Sequence, residues 1–335
     1  MPTDQVPDSA PAGSRIQRLL LIRNDNIGDL ICSIPAIQLC RRKLPHAVIH
    51  LLVNSYNAPV VEPLVPRWVD QLIVYRKTKH TGLTFSQMFH LAGFYGRLRL
   101  AGYDSAVMLL GGKSRQALSF ARWTGACAIL GYDIGIPSLA FREGNHEVEY
   151  SWRLAANLCG TAEPPPASID YPLRAAGNRL AVQITSRKPG NRWEASRFAG
   201  LGRKLLAQRK EKALLLWSPG PANTPTHPGD DEKAAEIVRL APEAFEACPT
   251  PRLQDLMDTL RSCDTLITPD GGAMHLAAAM GLRLVTLFGQ SDPKRWRPWT
   301  PRAQVLISPT QNIADIPVEA VLKAWQTVQA DKINR

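Results

Sequence analysis

No apolar run in the 335-residue chain approaches the roughly eighteen residues that a membrane-spanning helix needs, so no segment is expected to cross a bilayer. The six cysteines, Cys32, Cys40, Cys127, Cys159, Cys248 and Cys263, include no CxxC pair. That spacing excludes a disulfide framework and a zinc site, and points to buried, reduced thiols of a cytoplasmic protein. The Gly-x-Gly-x-x-Gly dinucleotide fingerprint is missing, which removes the signature of a nicotinamide-dependent oxidoreductase. Neither a zinc finger nor a basic arm marks a nucleic-acid binder, and no cluster of side chains has metal-ligand spacing. The opening MPTDQVPDSAPAGS is Pro-rich, polar and acidic, where a signal peptide would be basic and then apolar; residues 1–14 read as a disordered tail.

What is present is ordinary globular usage, 45% hydrophobic and 21% charged, in a chain long enough for two domains. The net charge is +11, with the basic excess densest over residues 187–212. Such an excess serves solubility, phosphate-bearing ligands or contact with an anionic membrane surface.

Short apolar runs alternate with helix-length amphipathic segments, the rhythm of βα units and parallel sheets. In the first half the expected strands are 18–23, 48–53, 71–75, 104–110 and 128–132, and the expected helices 28–43, 58–64, 84–101, 114–124 and 147–159. The Pro-rich passage at 164–176 reads as a linker, since consecutive prolines fit neither a helix nor a central strand. Strands then resume at 179–184, 213–217, 244–248, 265–268 and 283–288, with helices near 194–208, 230–240, 252–262, 272–280 and 317–329. The expected organisation is an α/β domain over 15–163, a second over 177–316 and a closing helix over 317–330. Ligands of such open sheets bind at the carboxyl ends of the strands.

Three segments carry chemistry. In RNDNIGDLICSIPAIQLCRRKLP (23–45) a strand ends, the chain turns at Gly28, and Asp29 enters the first helical turn. Asp29 suits either a simple cap or a general base. In TLITPDGGAMHLAAAMG (265–281) a strand runs into Asp270, Gly271 and Gly272 before a helix that bears His275. Bare backbone amides and the positive helix end suit a diphosphate there. In TSRKPGNRWEASRFAGLGRKL (185–205), Ser186, Arg187, Lys188 and Arg192 follow a strand end and are placed either to neutralise a leaving diphosphate or simply to solvate a loop.

Together these segments resemble glycosyltransferase family nine, the lipopolysaccharide heptosyltransferases. The family's opening R-x-x-x-I-G-D-x-x-x-x-x-P block is matched by Arg23, Ile27, Gly28, Asp29 and Pro35. Its D-x-G-x-x-H-L-A-A-A block and the following F-G-x-[ST]-D-P are matched by Asp270, Gly272, His275 to Ala279, Phe288, Gly289, Ser291, Asp292 and Pro293. Arg192 and Trp193 match a weaker middle block, in which Asn191 stands where the family usually has lysine.

The resemblance implies a GT-B fold, two doubly wound Rossmann-like domains facing a cleft, and an inverting, metal-independent enzyme without a cofactor. Its donor would be an ADP-sugar, ADP-heptose in this family, and its acceptor the lipopolysaccharide inner core. It implies Asp29 as the base, with Ser186, Lys188, Arg192, Asp230, Asp270, Gly271, Gly272 and His275 on the donor and Arg23, Ser114 and Arg115 on the acceptor. A lipid-anchored acceptor further implies a cytoplasmic protein that visits the anionic inner face of the inner membrane. Arg41, Arg42, Lys43, Arg76, Lys77, Lys79, Arg97 and Arg99 are the candidate contacts. A GT-B transferase or epimerase acting on another sugar nucleotide, or an idle binder of one, shares the same signature.

Overall fold

The computed structural model describes residues 16–76, 85–135, 139–224 and 228–330, with the backbone alone at 85–87. The tail expected over 1–14, Lys77, Lys79 and the helix start expected at 84 lie outside the described residues. The chain divides into two compact units, Met1–Pro166 and Ala167–Arg335.

The first unit holds β1 (Arg18–Ile22), α1 (Ile27–Cys32), α2 (Ile34–Lys43), β2 (Val48–Asn54), α3 (Ala58–Val61), β3 (Gln71–Tyr75) and α4 (Phe85–Leu100). It continues with β4 (Ser105–Met108), α5 (Arg115–Thr124), β5 (Ala128–Leu130) and α6 (Glu147–Cys159). The strands form one parallel sheet in the order β3-β2-β1-β4-β5. Leu19 to Ile22 of β1 are fully buried, the pattern of a parallel strand covered on both faces. On one face Leu20, Ile22, Leu52 and Met108 pack with Phe94, Leu98, Ala117 and Phe120 from α4 and α5.

The single helix expected over 28–43 is two. Ser33 separates them, and Pro35 sits in the first turn of α2. Proline has no N–H to continue a helical ladder but fits a first turn, so the chain ends one helix and starts another.

The second unit holds β6 (Arg179–Gln183), α7 (Ala195–Arg209), β7 (Ala213–Trp217), α8 (Asp231–Leu240), β8 (Phe245–Pro249), α9 (Leu253–Arg261), β9 (Cys263–Pro269) and α10 (Gly272–Ala279). It ends with β10 (Arg283–Phe288), α11 (Pro293–Trp296), β11 (Ala303–Ile307) and α12 (Val318–Ala330). Its parallel sheet runs β11-β10-β9-β6-β7-β8. Val182, Leu215, Ile267 and Val285 from four strands pack with Trp193, Phe198, Ile237 and Trp325. The edge strand β11 was not among the expected elements.

In both sheets the order reverses beside the first strand, between β1 and β4 and between β6 and β9. At such a reversal adjacent crossovers leave on opposite faces and open a crevice at the carboxyl ends of the strands. The passage at 164–176 is less free than a tether: Ile169 and Tyr171 are buried, and the Ala175 amide donates to Met280 O at 3.1 Å. The thiols also differ from expectation. Cys32, Cys40 and Cys263 are buried, Cys159 and Cys248 are half-buried, and Cys127 is exposed.

Candidate active site

In the first unit the crevice is acidic. Arg23 follows β1 directly and has no exposed surface, so its guanidinium must find partners inside the protein. Nε lies 2.9 Å from Asp25 Oδ1, and Nη2 meets Glu147 Oε1 at 2.7 Å and Asp29 Oδ1 at 3.1 Å. Nη1 donates to the Leu109 carbonyl after β4. Burial works against the charge, but Asp25, Glu147 and Asp29 outweigh it and hold the guanidinium above its ordinary pKa.

Asp29 sits in the first turn of α1, its side chain 14% exposed. Arg23 engages one of its oxygens, and Asn26 Nδ2 donates to the other at 3.0 Å. The carboxylate is therefore oriented from both sides at a helix start that favours negative charge. Glu147 opens α6, is sealed from solvent, and accepts the Gly111 amide at 3.0 Å. A Cβ at Gly111 would lie 2.5 Å from Glu147 Oε2, so only glycine lets the β4 end approach that carboxylate. The Asp25 carboxyl is pushed up to about 7 by burial; Asp29 and Glu147 add to the rise and Arg23 opposes it.

The expected acceptor-side residues fall in three different settings. Arg23, with no surface of its own, stands behind the carboxylates and orients them rather than facing a ligand. Ser114 caps α5, its hydroxyl accepting the Ala117 amide at 3.2 Å. Arg115 is exposed and borders a shallow cavity of about 270 Å³ with Leu118, Ser119, Arg122 and Trp123.

In the second unit the crevice is basic. The loop after β6 carries Ser186, whose carbonyl accepts Arg192 Nε at 2.8 Å, and Lys188, whose Nζ donates to Ser291 Oγ at 2.7 Å. Asn191, which replaces the lysine usual in the resembling family, is fully buried. Its Oδ1 accepts the Gly289 and Gln290 amides, each at 3.1 Å, and its Nδ2 meets Asp270 Oδ2 at 3.4 Å. A Cβ at Gly289 would stand 2.3 Å from Gly190 O and 2.7 Å from Asn191 Oδ1, so the two loops meet backbone to backbone. Asn191 thus ties the loops after β6, β9 and β10 together, and Lys188 brings a cation to the turn after β10.

Asp270 begins the turn after β9 with its amide on Leu287 O at 3.0 Å, and Gly271 lies open, with no atom within 4 Å of an added Cβ. Gly272 begins α10, whose N-terminus has no side-chain cap; the Met274 amide turns back to Gly271 O at 3.1 Å. His275 is buried one turn in, its ring edge-on to Trp296 at 6.2 Å.

Asp230 is buried before α8, and burial raises its pKa. One of its oxygens, Oδ2, is buried without a hydrogen bond, as is Arg192 Nη2. Lys233, in the first turn of α8, interacts with both: burial pulls its ammonium down to about 8, with Asp230 opposing and Arg192 adding to the fall. Asp25, Glu147 and Lys233 were not singled out in the sequence; the first lies two residues from Arg23 and four from Asp29, and the others only the fold brings in.

Comparison with known proteins agrees with this arrangement. The sequence model of glycosyltransferase family 9 (heptosyltransferase) matches residues 141–326. A Haemophilus influenzae protein provisionally named a glycosyltransferase is 24% identical over 317 residues, 84% of this chain and 86% of that one. Lipooligosaccharide heptosyltransferase 2 of the same organism is 29% identical over 124 residues, covering 35% of this chain and 33% of that protein. Among solved structures, E. coli heptosyltransferase WaaC with ADP shares the fold with a TM-score of 0.78 at 18% identity, covering 93% of this chain and 100% of that one. E. coli ADP-heptose lps heptosyltransferase II does so with a TM-score of 0.73 at 18% identity, covering 94% and 99%. On the family pattern, which spans more than half of its length, the chain belongs to glycosyltransferase family 9, the heptosyltransferases, and is a glycosyltransferase of GT-B fold.

Proposed function

We propose that the enzyme moves heptose from ADP-heptose to an inner-core lipopolysaccharide acceptor, with inversion and without a metal ion. The observation that carries this reading is Asp29, a carboxylate fixed by Arg23 and Asn26 yet still reachable at the β1 crevice. In the proposed step Asp29 takes the acceptor hydroxyl proton and the acceptor oxygen forms its bond to the anomeric carbon. The bond from that carbon to the diphosphate oxygen breaks, and ADP carries away the electron pair. The departing charge falls to the α10 N-terminus, Lys188 and Arg192, which supply the stabilisation that a metal would otherwise give. Asp270 then faces the donor sugar, and Asp230 and Ser186 its nucleoside side.

ADP-heptose is named over other sugar nucleotides because heptosyltransferases stand among both the curated and the structural relatives, two of those structures being named with ADP or ADP-heptose. Incubation with ADP-, UDP- and GDP-sugars and deacylated inner-core lipopolysaccharide, in EDTA and read by mass spectrometry, tests it. A heptosylated product from ADP-heptose alone is expected; transfer from another sugar nucleotide, or donor binding without transfer, overturns it.

A lipid-anchored acceptor places the enzyme, in this reading, at the cytoplasmic face of the inner membrane. Among the described residues no helix is long and apolar enough to cross a bilayer. Arg41 is paired with Asp70 and Lys43 with Glu163, which leaves them poorly suited to lipid contact. The α4 and α5 helices suit it better: they carry exposed Arg97, Arg99, Arg115 and Arg122 beside exposed Phe89, Leu100 and Trp123, and no carboxylate. Each such cation near anionic lipid contributes about 1 kcal/mol at low salt. Co-sedimentation with phosphatidylglycerol vesicles that is lost at high salt is expected, and no sedimentation at low salt refutes it.

A further inference from the structure

One guanidinium in the first-unit crevice faces three carboxylates. Glu147 is sealed and already accepts a backbone amide, and both Asp29 oxygens have donors. Asp25 differs from both. Its Oδ1 lies against Arg23 Nε yet is buried without a hydrogen bond, and its side chain is 28% exposed. Of the three, Asp25 is the carboxylate that can exchange a proton with water while the others keep their bonds.

The geometry assigns Asp25 a part in the transfer, as a positioning carboxylate that acts through Arg23 to set how strongly Asp29 holds a proton. This rests on the reading of Asp29 as the base. When Asp25 is ionised, the single positive charge of Arg23 is divided among three carboxylates, and a like charge stands across the guanidinium from Asp29. Asp29 is then the stronger base. When Asp25 is protonated, Arg23 turns its charge on Asp29 and Glu147 alone, and Asp29 is weakened. The groups facing this cluster are Arg23 after β1, Asp29 and the buried Cys32 thiol on α1, and Glu147 at the start of α6. The Asp25 carboxyl, pushed up to about 7 by burial, changes charge in the range where the enzyme would work. No proton is relayed: the acceptor proton ends on Asp29 and leaves to water, and Asp25 gains or loses its own from solvent.

The test is the pH profile of kcat/KM with ADP-heptose and deacylated inner-core lipopolysaccharide. Wild type is expected to show two ionisations on the acid limb, the upper near 7. Asp25→Asn should leave one, at lower pH, with kcat at pH 8 down about 3–10-fold, as a base weakened by about one pK unit or more predicts. The donor KM should not move, and Asp25→Glu should restore the two-step limb. A single ionisation in wild type overturns the proposal without any variant, and so does a superimposable Asp25→Asn profile. Asp29→Asn separates this from the parent reading. If it turns over normally, the base assignment has failed. If it is inactive while Asp25→Asn is unchanged, only the role of Asp25 has failed.

Discussion

Replacing Asn191 by alanine removes a buried acceptor rather than a ligand contact. Its Oδ1 takes the Gly289 and Gln290 amides, both at 3.1 Å, in a place where backbone packs too closely for a Cβ, so water has little room to replace it. Each buried donor left unpaired costs about 1–3 kcal/mol, so about 2–6 kcal/mol is expected for the pair. For a unit of this size, about 1 kcal/mol moves Tm by about 2–4 °C, which predicts a fall of about 4–24 °C in the second-unit transition. Differential scanning calorimetry with and without ADP reads this directly. Asn191→Asp keeps the acceptor for both amides but sets a like charge 3.4 Å from Asp270 in a sealed place, so it should lose stability and donor affinity together. An Asn191→Ala protein that melts within 2 °C of wild type would refute the clamp, and the lysine-to-asparagine departure would again have no structural account.

Asp29→Asn should leave the melting curve and ADP affinity intact and lower transfer by on the order of 10²-fold or more, measured by product formation at saturating substrates. Changing Lys188 and Arg192 together to alanine should weaken ADP binding by roughly 2–4 kcal/mol in calorimetry; unchanged affinity would return the loop to a solvated face. Lys233 releases its proton near 8 in the folded state against 10.5 when free, so the unfolded chain binds more protons within that window. Its buried charge therefore costs stability that is fully present below about pH 8 and relieved as pH rises through the window. Lys233→Met should melt higher than wild type at pH 7, with the gap closing toward pH 10; a constant gap would mean the ammonium is not desolvated.

The sheets were legible because buried parallel strands leave plain marks. After its leading Arg18, β1 is an uninterrupted apolar run, LLLI, and LVTLF of β10 is broken only by the buried Thr286. By contrast β11, AQVLI, is a half-exposed edge after a Trp- and Pro-rich passage, so neither alternation nor a long apolar run marks it. In the site, Asp29, Asp270 and the glycines stand in contiguous strand–turn–helix segments, and local spacing was enough to find them. Glu147 lies 124 residues from Arg23, and no local pattern announces a pair that the sheet brings together. Asn191 illustrates another limit: read along the chain it is a missing charge, and in the fold it is a clamp for another loop's backbone.

Two parallel sheets of like winding, one five-stranded and one six-stranded, carry opposite charge at the carboxyl ends of their strands, carboxylates around Arg23 in one and cations around Asp230 in the other. The difference lies in the segments beyond the strand ends, after β1 and at the start of α6 in one unit and after β6 and β7 in the other, not in the strands that hold them. On the proposed function, each half is a self-contained cartridge, one for proton removal and one for anion binding. Grafting the 185–193 and 289–292 segments of a relative with another nucleotide preference should retune the donor while the proton chemistry keeps its own pH dependence.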